Sequence, residues 1–222
     1  MVAPILRGFL AYLAVAVLHV ASLAAGWDDM AVVTKFSLMP ALMVGVVIAR
    51  RRPFSWPDYL LLVALTLSWL GDIFVSDAAS SRFLVGLGSF LAAHALYLVL
   101  FLRVVKSRRV PMLALLLAVW WAGLLFLLRD DLGFFFVPLA VYGAVLAAST
   151  AAALATSRLI ATGAALFLAS DTALAWALFA PSPVWWQSDV VIMTLYIAGQ
   201  FLIATGCIRA RNARGNTASV SE

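Results

Sequence analysis

Eight apolar stretches, each about as long as the 20 residues that a helix needs to cross a bilayer, divide this sequence of 222 residues. Apolar residues make up 65% of the chain and charged residues only 11%. This composition argues against a soluble enzyme, a disordered protein or a nucleic-acid binder. We therefore predict an all-α membrane bundle of eight transmembrane helices, located in the cell membrane. The stretches cover 5–25, 31–49, 57–76, 82–104, 110–128, 134–156, 158–180 and 187–209.

Charged residues predict the orientation of this bundle. Most Arg and Lys residues fall on one side, and the positive-inside rule makes that side, with both termini, cytoplasmic. The net charge of +5 is therefore explained by the basic residues that set the membrane topology, and it does not indicate a nucleic-acid partner. Residues 1–209 form one integral membrane domain, and 210–222 are expected to be a short disordered cytoplasmic tail. The basic side carries Arg7, Arg50, Arg51, Arg52, Arg103, Lys106, Arg108, Arg109, Arg158, Arg209, Arg211 and Arg214, and the other side carries Asp28, Asp29, Asp77, Asp130, Asp131 and Asp189 with Arg82 and Arg129.

Two further patterns concern the organisation of the spans. Arg7 and the apolar run after it could be a cleaved signal peptide, but a run of about 18 residues is long for that role and favours a retained helix. A weak repeat at an offset of 99 residues pairs Asp72 with Asp171 and Tyr97 with Tyr196. Four spans separate the partners, which predicts a four-plus-four arrangement of two parallel copies.

Ionisable side chains inside the spans are the first functional candidates, because each is costly in lipid unless it is paired or hydrated. Asp72 and Asp171 stand in otherwise apolar spans, and Lys35 lies near one span end. A purely structural explanation is a buried ion pair or hydrogen bond that fixes helix packing. Two aspartates four spans apart favour function over that explanation. His19 stands alone among apolar residues and is predicted to be structural.

The fourth and eighth spans each present polar groups on one helical face. Phe83, Gly86, Phe90, His94 and Tyr97 recur at spacings of three and four residues, and Tyr196 and Gln200 are one turn apart. Counted from the non-cytoplasmic ends, these groups, Lys35 and the aspartates lie between that interface and the midplane. We therefore expect one polar cavity that opens toward the non-cytoplasmic side.

Five short motifs in this order resemble the YhhN family, which includes the lysoplasmalogenases. They are Lys35 with Pro40, Gly71-Asp72, Phe83-x-x-Gly86-x-x-x-Phe90-x-x-x-His94-x-x-Tyr97, Phe167-x-x-Ser170-Asp171 and Tyr196-x-x-x-Gln200. The family commonly has proline where this chain has Phe36 and alanine where it has Gly199. The resemblance implies an eight-helix hydrolase that cleaves the vinyl ether bond of lysoplasmalogens, or of a related lipid. The products would be a fatty aldehyde and a glycerophospho-ethanolamine or -choline.

The polar residues suit that reaction. Vinyl ether hydrolysis starts with proton delivery to carbon, which requires a carboxylic acid kept protonated in a site of low dielectric constant. A second carboxylate stabilises the cation and activates water, as in glycoside hydrolysis. Our hypothesis is that Asp72 and Asp171 are this catalytic pair and that Lys35 holds the phosphate. The residues expected to position water and the glycerol oxygens are His94, Tyr97, Tyr196 and Gln200.

Other functions remain open at this point. A metal-dependent intramembrane hydrolase would use His94 with the two aspartates, although catalytic zinc sites commonly have three good ligands. A proton-coupled transporter also fits two intramembrane aspartates, but no span shows the strong Gly/Pro interruption of discontinuous helices. We expect no cofactor and no bound metal. The expected partners are a lysophospholipid substrate and the lipid bilayer, and the oligomeric state is left undetermined.

Overall fold

The structure, a computed structural model, describes residues 3–51, 53–75, 82–103, 111–181 and 187–218. These residues are all-helical, which confirms the predicted fold class. Short 3-10 turns at Met112–Ala114 and Gly133–Phe135 precede two of the helices. The α-helices are α1 (Ala3–Gly8), α2 (Leu10–Ala25), α3 (Asp28–Ala49), α4 (Trp56–Phe74), α5 (Phe83–Arg103), α6 (Leu115–Leu132), α7 (Phe136–Leu154), α8 (Arg158–Phe179) and α9 (Ser188–Ala218).

Six helical segments among the described residues are long and apolar enough to cross a membrane, and one of them is the 40-residue run Leu115–Leu154. That run reverses direction at Gly133, which has a positive φ angle. The Trp121 indole in α6 then donates a 2.9 Å hydrogen bond to the Ala140 carbonyl oxygen in α7. With α6 and α7 counted separately and α1 and α2 counted as one bent segment, these residues form the eight predicted segments. The protein is a multi-pass membrane protein.

The first segment bends at Phe9 and packs firmly into the bundle. Phe9 and Tyr12 are fully buried, and the Tyr12 hydroxyl donates a 2.8 Å hydrogen bond to the Ile197 carbonyl oxygen in α9. The Phe9 ring also meets the Phe201 ring edge-on, with 5.5 Å between centroids. These contacts join the first segment to the last helix.

The closest helix packing occurs in two pairs, α4 with α5 and α8 with α9. Each pair consists of the last two spans of its half of the chain. In the second pair, Gly163 and Gly199 face each other. A Cβ on Gly199 would lie 2.9 Å from the Gly163 carbonyl oxygen, which is too close for any other residue without a shift. Small residues allow membrane helices to approach in this way. The crossing fixes α8, which carries Asp171, against α9, which carries Tyr196.

The last helix is longer than the apolar stretch that predicts it. Residues 210–218, where the sequence places the start of a polar tail, continue α9 to Ala218. An ion pair holds this extension: Arg211 Nη1 lies 2.9 Å from a carboxylate oxygen of Asp58, which is 3% exposed at the start of α4, and Arg211 also donates to Ser55 Oγ. Residues 219–222 lie outside the described residues, as do the charged residues Arg52, Asp77, Lys106, Arg108 and Arg109.

Candidate functional site

A cavity of about 570 Å³ occupies the end of the bundle where α3, α5 and α9 begin and where α2, α4 and α8 end. The charge pattern of the sequence predicts that this end faces the non-cytoplasmic side. Four of the predicted site residues line the cavity: Lys35, Asp72, Asp171 and Tyr196. They come from α3, α4, α8 and α9, so folding brings together groups up to 161 positions apart in the sequence.

Asp72 is buried near the C-terminal end of α4 and has a defined partner. Its side chain is 5% exposed, and its Oδ2 atom accepts a 2.7 Å hydrogen bond from the Tyr196 hydroxyl. The preceding residue, Gly71, allows the Phe90 ring to lie against α4, because a Cβ there would be 2.5 Å from two ring carbons. The Gly71-Asp72 motif thus places a carboxyl in the cavity and an aromatic ring directly beside it.

Asp171 of α8 is partly buried where it lines the same cavity, and its neighbours in sequence hold α8 in place. Its Oδ2 atom accepts a hydrogen bond from the Tyr142 hydroxyl of α7. Ser170 donates to the Ile192 carbonyl oxygen at 2.9 Å, and Thr172 accepts from the Trp120 indole at 3.1 Å. The hydroxyl groups of Ser170 and Thr172 therefore hydrogen-bond to other helices. Asp171, which lies between them in sequence, is the residue that supplies a carboxyl group.

The other three predicted site residues form a separate layer that does not line the cavity. Gln200 Oε1 accepts a 2.8 Å hydrogen bond from the Tyr97 hydroxyl, and His94 Nδ1 lies 3.0 Å from the Ser149 hydroxyl. The Phe167 ring packs between His94 and the cavity residue Tyr196. Its centroid is 4.5 Å from that of His94 and 5.3 Å from that of Tyr196.

This second layer is buried, because His94, Tyr97 and Gln200 are all no more than 3% exposed. Within the described part of the chain, His94 Nε2 and Gln200 Nε2 have no hydrogen-bond partner. The layer is polar and lies next to the cavity. Its side chains do not line the cavity, so they would influence a ligand there only indirectly, through the residues that do.

The cavity also contains residues that sequence reasoning did not assign to a site. His19 lines it, held by a 2.9 Å hydrogen bond between Nδ1 and Thr34 Oγ1, and Asp28 and Asp189 line it at the exposed helix ends. His19 belongs to the cavity because α2 places it near Lys35 of α3, and a single sequence does not reveal that proximity. Tyr142 is visible as a polar residue within a span, but nothing in the sequence pairs it with Asp171.

The arrangement offers acid–base chemistry between two carboxyls and binding of charged groups. Lys35 and His19 supply cationic or hydrogen-bonding groups in the same cavity as four aspartates. In the part of the chain that the structure describes, no three His, Cys, Asp or Glu side chains group as metal ligands do. The metal-dependent alternative therefore has no ligand set among these residues.

Comparisons with known proteins identify the family and two relatives of this chain. The model of the YhhN family matches residues 30–207, which include every residue that the sequence assigns to the site. The chain is 34% identical over 174 residues to human lysoplasmalogenase TMEM86B, covering 78% of this chain and 74% of that protein. It is 35% identical over 136 residues to lysoplasmalogenase TMEM86B of Sus scrofa, covering 60% of this chain and 58% of that protein. No solved structure matches the chain.

Proposed function

We propose that this chain, which belongs to the YhhN family, is a lysoplasmalogenase that hydrolyses the vinyl ether bond within the membrane. The observation that carries the proposal is the presence of Asp72 and Asp171, from two different helices, in one cavity with Lys35. The similarity to two lysoplasmalogenases supports the substrate class.

The two carboxyls divide the reaction between them. One aspartate delivers its proton to the chain-side carbon of the double bond, whose electron pair forms the new C–H bond. The ether oxygen stabilises the resulting oxocarbenium ion, and the second, ionised aspartate balances its charge. That aspartate then accepts a proton from a water molecule whose oxygen attacks the carbon next to the ether oxygen. As the hemiacetal collapses to an aldehyde and the glycerol hydroxyl, the second aspartate gives its proton to the leaving glycerol oxygen and the first takes the proton of the hemiacetal hydroxyl. Both aspartates thus return to their starting states, and one water is consumed in each turnover.

Burial serves this chemistry in two ways. A site of low dielectric constant favours an uncharged acid beside a charged base over two charged carboxylates. The tyrosine hydroxyls hold the carboxyls in fixed orientations, Tyr196 on Asp72 and Tyr142 on Asp171. Preorganised groups of this kind need little rearrangement as charge develops on the substrate.

The remaining cavity residues suit a zwitterionic headgroup. Lys35 is placed to bind the phosphate as a point charge. The carboxylates of Asp28 and Asp189, at the exposed helix ends of the same cavity, suit the cationic amine of ethanolamine or choline. In this proposal His94, Tyr97 and Gln200 are positioning residues that act through Phe167 and Tyr196 rather than groups that touch the lipid.

The test is aldehyde release from a lysoplasmalogen by the purified protein in detergent. The Asp72→Asn and Asp171→Asn variants should each lower kcat by about 10²–10⁴-fold, the usual contribution of a positioned acid or base. Asp130→Asn is the matched control, because Asp130 is highly exposed outside the cavity, and it should retain wild-type activity.

Each result bears on a different part of the proposal. A folded wild-type protein that releases no aldehyde from ethanolamine or choline substrates would overturn the substrate assignment. Wild-type activity that survives in both cavity variants would keep the substrate and reject the carboxyl pair. Activity lost on chelation and restored by added metal would favour the metal-dependent hydrolase. Lipid movement across liposomes without chemical change would favour a transporter.

A further inference from the structure

A second cavity, almost entirely apolar, lies beside the polar one. It is lined mainly by side chains of α5, α6, α7 and α8, and we refer to it as the apolar slot. Among the described residues that line it, Asp171 is the only one with a carboxyl. Asp171 also lines the polar cavity, and so do Val75, Phe90, Leu174 and Leu178. The two spaces therefore share a boundary that includes Asp171.

The slot is long and has rigid walls. Its α6 wall extends from Trp120 to Leu132, about 18 Å along the helix axis at the α-helical rise per residue. Both indole groups at one end of this wall are anchored, Trp120 by its hydrogen bond to Thr172 and Trp121 by its bond to the Ala140 carbonyl oxygen. Anchored side chains keep a binding site open in the absence of its ligand.

We propose that the apolar slot binds the alkenyl chain of the lysolipid, so that the vinyl ether lies at Asp171. This inference rests on the proposed function. In a lysoplasmalogen the vinyl ether joins the polar glycerophosphate to the hydrocarbon chain, so the reacting bond must lie where a polar site meets an apolar one. Asp171 is at that boundary, whereas Asp72 lines the polar cavity and does not line the slot.

A chain-length profile tests the occupant of the slot. Leu124 lines the slot, and Leu124→Trp would fill part of it. We expect this variant to lower kcat/KM for the longest alkenyl chains about tenfold or more relative to the shortest chains, the scale on which apolar pockets discriminate by size. Leu127→Trp is the matched control on the same helix, because Leu127 is 63% exposed and does not line the slot. Its profile should match that of wild type.

The outcomes separate this inference from the proposed function. Wild-type activity with the same chain-length profile in Leu124→Trp would overturn the slot assignment alone. A wild-type protein that is inactive on every chain length would overturn the proposed function.

Binding by a non-hydrolysable probe gives a second readout that needs neither turnover nor a folded variant. An alkyl ether lysophospholipid with a photoreactive diazirine at the chain end should label wild-type peptides from 115–154. Labelling that falls only on exposed, lipid-facing positions such as Leu127 would overturn the assignment.

Discussion

Asp72 and Asp171 are each oriented by a tyrosine from a different helix. Tyr196 of α9 donates to Asp72 of α4, and Tyr142 of α7 donates to Asp171 of α8. A tyrosine hydroxyl can donate to a carboxyl oxygen but cannot neutralise the group, as an arginine would. The carboxyls are therefore held in place while they keep the ability to exchange a proton with substrate or water.

At the residue scale, Tyr196→Phe tests whether this orientation matters for turnover. Loss of a hydrogen bond to a charged group costs about 1.5–3 kcal/mol, so we expect kcat to fall about 10- to 100-fold with little change in KM. The measurement is steady-state aldehyde release. Tyr12→Phe is the control, because Tyr12 is equally buried and donates to a backbone carbonyl but does not line the cavity.

The two variants are expected to differ in kcat and to resemble each other in stability. Tyr12→Phe should lower the melting temperature as much as Tyr196→Phe and leave kcat unchanged. An equal fall of kcat in both variants would indicate that Tyr196 acts only on packing.

Sequence reasoning identified the charged residues of the cavity better than its hydrogen-bond partners. Lys35, Asp72 and Asp171 are visible because an ionisable group in an apolar span is costly in lipid. His94 stands out for the same reason, but the structure places it behind Phe167. The partnership of Tyr142 with Asp171 depends on how α7 lies against α8, and one sequence holds no information about that contact.

At the scale of elements, the contact between α8 and α9 connects the helix of Asp171 to the helix of Tyr196. The backbones approach each other closely at Gly163 and Gly199. A methyl group at position 199 would push the helices apart or distort them, and it would move Asp171 relative to Tyr196.

Gly199→Ala should therefore destabilise the protein by about 1–3 kcal/mol, the usual cost of overpacking a tight contact. The matched control is Gly88→Ala, because Gly88 is also within a helix but has nothing within 4 Å of an added Cβ. Alanine favours helix over glycine, so this control should be neutral or slightly stabilising. Thermal unfolding of both variants in detergent is the measurement, and equal melting temperatures would contradict the close crossing.

The elements themselves were largely predictable, with differences at their ends. Length and hydropathy locate all eight segments. The bend at Phe9 is not predictable from hydropathy, because it depends on the packing of that ring against Phe201. The extension of α9 beyond residue 209 is held by the ion pair between Arg211 and Asp58, which joins two positions far apart in the sequence that local sequence cannot relate.

At the scale of the whole molecule, charge and cavity position lead to one proposed orientation. The cavity lies at the end of the bundle that carries Asp28 and Asp189, and the opposite end carries Arg51, Arg158 and Arg211. The positive-inside rule places the basic end in the cytoplasm. A lysolipid would then enter the site from the non-cytoplasmic leaflet.

Cysteine labelling tests this orientation, since the sequence has one cysteine, Cys207, and it is 4% exposed. Asp131 and Arg158 are both exposed, at opposite ends of the bundle. A membrane-impermeant maleimide should label Asp131→Cys in intact cells, and it should label Arg158→Cys only after permeabilisation. The unmodified protein gives the background from Cys207. The reverse pattern would contradict the orientation and place the cavity on the cytoplasmic side, where the lysolipid would have to enter from the inner leaflet.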